Sequence, residues 1–195
     1  MNTSHPPDDK AFSELSHHIA GGFVLLMGLG ELAVALGSRR WGRLRWLLPA
    51  GMLGAGLYLL IFSDIDVWSL RDVFIQPFIV GDLETLQHKF YALILLAVGA
   101  IEWRRRQGRL AHPAWQWPLP LLAIIGGAML YAHKHNVLTD VMVITMHHRL
   151  MGAAAILAGL VKLAAAGDAP RRASWETAWS TLVVLIGVEL LLYFE

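Results

Sequence analysis

Six apolar runs leave this chain few ways to fold. They are Ile19–Gly37, Trp46–Phe62, Phe90–Trp103, Leu119–Ala132, Leu150–Ala166 and Trp179–Phe194. A helix needs about 20 mostly apolar residues to cross the hydrocarbon core. The runs reach that length when polar ends such as Gln87-His88 and Trp115-Gln116 count as interfacial. Only 16% of the 195 residues are charged, well below the roughly one quarter of a soluble domain. The expected fold is all-α: a polytopic membrane protein of six transmembrane helices, with residues 1–16 as an N-terminal tail and 17–195 as one transmembrane domain. That tail is acidic and polar, without the basic start of a cleaved signal peptide.

Charge sets the orientation. Arg39, Arg40, Arg43 and Arg45 follow the first run, Arg104, Arg105, Arg106 and Arg109 the third, and Lys162, Arg171 and Arg172 the fifth. The alternate loops are acidic or mixed, with Asp64, Asp66, Asp72, Asp82 and Glu84, then Lys134 and Asp140. Basic loops stay cytoplasmic, so both termini are expected on the periplasmic side of a bacterial inner membrane. Membrane topology accounts for the arginines without nucleic acid. The partners expected are the lipid bilayer and a periplasmic metal or electron carrier.

A threefold repeat runs through the spans. Aligned from His17, His88 and His148, the odd-numbered spans carry a small residue four positions on (Gly21, Ala92, Gly152), glycine at eleven (Gly28, Gly99, Gly159) and an ionisable residue at fourteen (Glu31, Glu102, Lys162). At about 100° per residue these offsets share one helix face. The even-numbered spans carry Gly54–Tyr58, Gly126–Tyr131 and Gly187–Tyr193. The expectation is three repeated helical hairpins, 17–63, 88–132 and 147–194, approaching closely through small residues.

Seven of the nine histidines then fall at the outer membrane face: His17, His18, His88, His133, His135, His147 and His148, with Asp64 beside them. A single interfacial histidine needs no special explanation. Seven on one side, with two adjacent pairs and a His-x-His, point to ligation, because imidazole is the commonest metal-ligating side chain. The chain has no cysteine, which leaves imidazole, carboxylate and thioether donors, a set that suits copper, zinc or iron. Met142 and Met146 are candidate thioethers. His17, His88 and His148 form one possible tris-imidazole group. Within each adjacent pair the two rings point about 100° apart on a helix, so they cannot serve one ion alike. Glu31 is a candidate partner of Lys162, and Glu189 stands in the outer half of the last span.

Other uses of histidine remain open from the residues alone. Haem b between histidines would make the chain a b-type cytochrome, clustered His and Asp suit a metal-dependent membrane enzyme, and a structural subunit would use histidines to cap helices. H-E-x-x-H and nucleotide-binding loops are absent.

The segments LYLLIFSDIDVWSL, LETLQHKFYALILLAVGAIE, LYAHKHN and MHHRLMGAAAILAGLVKL resemble bacterial multi-pass membrane proteins of the copper-resistance D (CopD-like) group. The resemblance implies copper handling, relay or transport at the periplasmic face. It touches His88, His133, His135, His147, His148 and Asp64. The chain differs from that group in having fewer helices.

Overall fold

The protein is described from a computed structural model, which covers residues 7–37, 39–62, 75, 79, 83–131, 141–168 and 170–194. It is helical, with no strand among the described residues. The helices are α1 (Pro7–Ala35), α2 (Leu47–Phe62), α3 (Leu83–Arg106), α4 (Pro118–Leu130), α5 (Val141–Gly167) and α6 (Arg172–Leu191). Short 3-10 segments precede α2 (Arg39–Trp46) and α4 (Pro113–Gln116).

Helix ends follow local chemistry. α1 opens at Pro7 rather than near residue 17, so much of the expected tail is helical. Proline is favoured in a first turn, where its missing N–H costs nothing, and Lys10 pairs with Glu14 one turn on at 3.8 Å. α3 stops at Gly108, whose φ is 76°. Its N–H reaches the Arg105 carbonyl and the Arg109 N–H reaches that of Arg104, both at 3.0 Å. This is a Schellman closure, which glycine enters without a Cβ clash.

Among the described residues, four helical stretches are long and apolar enough to cross a membrane: Lys10–Ala35, Trp41–Phe62, Met142–Gly167 and Arg172–Leu191. Their outward faces carry Leu26, Leu29, Leu57, Leu157, Leu160 and Leu185, all exposed. A continuous apolar exterior of this kind suits contact with lipid rather than water. α4 has 13 residues, about 20 Å at 1.5 Å per residue, shorter than the hydrocarbon core. α3 spans 24 residues but holds Lys89, Glu102 and three arginines.

The helices close into a ring in chain order, α6 returning to α1. The most extensive packing joins α1 to α6, α2 to α3 and α4 to α5; α3 and α4 barely touch. One core fills the ring, with Met27 from α1, Leu48 and Met52 from α2, Val98 from α3, Leu119 from α4, Ala158 from α5, and Trp179 and Val183 from α6.

Glycine makes each of the three main contacts possible. A Cβ on Gly28 would lie 2.7 Å from the Val184 nitrogen, and one on Gly187 would lie 2.7 Å from Leu25 Cα. Between α2 and α3, a Cβ on Gly56 would meet the Ala92 oxygen at 3.1 Å and one on Gly99 would meet Met52 Cβ at 3.1 Å. Between α4 and α5, a Cβ on Gly152 would meet the Gly127 oxygen, and one on Gly159 the Pro120 oxygen, each at 2.7 Å. With no hydrophobic driving force between helices in lipid, such close approach is where van der Waals attraction accumulates.

Candidate functional site

The N-terminal parts of α1 and α5 and the C-terminal end of α6 meet around Tyr193, which follows α6 and is 2% exposed. Its ring stacks on His17 with centroids 3.9 Å apart. The His147 ring lies 5.3 Å away and the His148 ring 6.1 Å. His18 Nε2–H donates to the Tyr193 carbonyl at 3.0 Å. Four histidines thus surround one buried tyrosine. The one signal of this in the sequence is an aromatic residue ending each even-numbered span.

Two of these rings are oriented by their own helix. His17 Nδ1–H donates to the Ser13 carbonyl at 2.8 Å, and His148 Nδ1–H to the Ile144 carbonyl at 2.9 Å. Both bonds reach back one turn, and in the neutral ring both leave the lone pair on Nε2. The two rings are 6.2 Å apart, edge to face. The same two-residue distinction separates the adjacent pairs: His17 turns to its own helix and His18 to Tyr193.

His147 is different. It is buried, and neither Nδ1 nor Nε2 has a hydrogen-bond partner. Its Nδ1 lies 3.9 Å from Glu189 Oε1, an oxygen that is likewise buried and unpartnered. Phe194 covers the ring edge-on at 5.3 Å. Leaving a buried polar group unsatisfied costs about 1–3 kcal/mol, so His147 Nδ1 and Glu189 Oε1, 3.9 Å apart, call for a proton, a water or an ion between them. Glu189, placed by the sequence only in one half of the last span, stands beside His147.

The remaining candidates divide. His88 sits half-buried in the second turn of α3, near Lys89, whose Nζ donates to the Leu60 carbonyl at 3.0 Å. His133, His135 and Asp64 lie outside the described residues. Among the described residues, no three histidine, aspartate or glutamate side chains form a group able to hold a metal ion. Met142 and Met146 are 83% and 53% exposed, so these two candidate thioethers do not turn inward with His147 and His148.

At the opposite end of the ring the charges pair differently from expectation. Glu31 binds Arg106 at 2.9 Å, not Lys162, and Lys162 binds Glu176. Glu102, 1% exposed, takes a two-pronged bond from Arg105 at 2.9 and 2.8 Å. Arg106 also donates to the Arg45 carbonyl.

Comparison with family models, with curated proteins and with solved structures finds no match to this chain.

Proposed function

We propose that the chain binds a transition-metal ion, copper foremost, in the histidine layer around Tyr193, and that it handles or relays that ion at the periplasmic face of a bacterial inner membrane. The observation that carries the proposal is the buried, unpartnered set of His147 Nδ1, His147 Nε2 and Glu189 Oε1. An ion bound between Nδ1 and Oε1, 3.9 Å apart, would satisfy both. His148 and His17 present pre-oriented rings close by. Imidazole and carboxylate together suit Cu(II) or Zn(II) better than the thioether-favouring Cu(I). His133 and His135 are the further ligands that the sequence offers, and they include residues of the copper-resistance D resemblance.

The same reading takes the chain as six spans in three repeated hairpins, both termini periplasmic. It is supported by equivalent glycine contacts between hairpins. Gly56, Gly127 and Gly187 each oppose the residue eight positions beyond His88, His148 and His17, namely Leu96, Ile156 and Leu25.

The test is to purify the full chain, load it separately with Cu(II) and Zn(II), and measure bound metal and the visible spectrum on one sample. About one ion per chain is expected, with no Soret band. His147→Ala and Glu189→Gln should each lower affinity at least tenfold, since even groups that only orient ligands cost 10–100-fold. Failure to retain either metal, or a Soret band in the purified protein, would reject the proposal; the latter would favour the b-type cytochrome.

A further inference from the structure

A second polar site lies at the other end of the ring, in the seam where α3 and α4 barely touch. It is a cleft of about 90 Å³ between α3, the start of α4, α5 and α6, lined by Glu102, Arg105, Gln116, Lys162, Arg172 and Glu176 among others. Three cations stand against two carboxylates, so the walls carry one excess positive charge.

That excess can be assigned. Arg105 is held by Glu102 and Lys162 by Glu176, and Lys162 also lies over the Trp179 ring, 5.4 Å from its centroid. The neighbouring Arg106 is matched by Glu31. Among the described residues, no carboxylate pairs with Arg172: its Nε donates to the Ala165 carbonyl at 3.2 Å. Asp168, just before α6, is outside the cleft lining and accepts from the Arg171 N–H at 3.4 Å and the Trp175 indole N–H at 3.2 Å.

The cleft lies at the depth of lipid headgroups. The membrane-crossing stretches of α5 and α6 end at Gly167 and begin at Arg172. Trp115 and Trp117 are 39% and 51% exposed beside it, and tryptophan concentrates at the membrane–water interface. A singly charged, tetrahedral oxyanion balances the site. Basic pockets between helices at a membrane's charged face take lipid phosphates.

We propose that this cleft binds a phosphate group through Arg172, with Arg105 and Lys162 as flanking cations, and that an anionic phospholipid headgroup supplies it. The reading does not depend on the metal site. The test uses the purified full chain in micelles, titrated with phosphatidylglycerol, phosphatidylcholine or inorganic phosphate and followed by native mass spectrometry and by melting temperature. Phosphatidylglycerol should bind about fivefold more tightly than phosphatidylcholine, the effect of roughly one basic side chain at the surface. Arg172→Ala should erase that preference and Arg171→Ala should keep it. Arg172→Gln, which can still serve the Ala165 carbonyl, covers the case in which the alanine variant does not fold. Arg172-dependent binding of inorganic phosphate, with no preference between the lipids, would support the phosphate site and reassign its source to a soluble anion. A lipid preference that survives both Arg172 variants, or binding of none of the three probes, would overturn the proposal.

Discussion

Removing the Glu102 carboxylate is expected to cost about 3–5 kcal/mol, the usual penalty for breaking a buried ion pair by deleting one partner. Glu102 is 1% exposed and accepts two bonds from Arg105, with Arg106 Nε 3.5 Å from the same carboxylate. Glu102→Ala leaves two guanidinium groups at this end of the ring, with Glu31 already bound to Arg106 and Glu176 to Lys162. The loss should appear as a lowered denaturation midpoint in mixed micelles. Arg105→Ala should cost less, because Glu102 keeps Arg106 Nε at 3.5 Å as a compensating charge. The double variant Glu102→Ala/Arg105→Ala should be more stable than the sum of the two losses implies, since neither charge is then stranded. Equal and additive losses would mean that the pair contributes no coupling.

Gly187→Ala should be the second large effect. Its Cβ would fall 2.7 Å from Leu25 Cα, and backbone cannot turn aside as a flexible side chain can. α1 and α6, the most extensively packed pair in the ring, must separate. Forcing one methyl into a packed contact costs roughly 1–3 kcal/mol, and here the loss extends along the whole crossing. Gly22→Ala is the matched control. Nothing lies within 4 Å of a Cβ there, so alanine's better helix propensity should leave stability unchanged or raise it by up to about 1 kcal/mol. If both variants melted alike, close backbone approach would not be what holds α1 to α6.

The proposed metal site would tie stability to ligand. His147 and Glu189 stand at the end of that same α1, α5 and α6 corner, so bound metal should raise the melting temperature by mass action. The Gly187→Ala variant should bind metal less well than Gly22→Ala, because displaced helices move Glu189 relative to His147.

Much of this architecture is written in local sequence. The apolar runs, the arginines and the aligned glycines are one-dimensional patterns with one-dimensional causes: hydrocarbon thickness, charge at a membrane face, and the volume of a side chain. They place helices, ends and faces. Even the histidines that the structure gathers, His17, His18, His147 and His148, were legible as a set at one membrane face.

Pairing was not legible, because it depends on which helices become neighbours and how each is rotated. Glu31 had Lys162 as its expected partner, being equivalent in the repeat. In the ring, the end of α3 comes against α1 and the first 3-10 segment, so Arg106 reaches Glu31, while α6 gives Lys162 its own carboxylate in Glu176. Tyr193 was only the aromatic end of an apolar run until the chain beyond α6 brought it between His17 and His147. Which residues share one end of the ring follows from hydropathy and charge, which act on each segment alone. That His147 and Glu189 face each other without a hydrogen-bond partner could come only from the packed ring, because burying two polar groups together is a property of the contact between α5 and α6 and of neither helix.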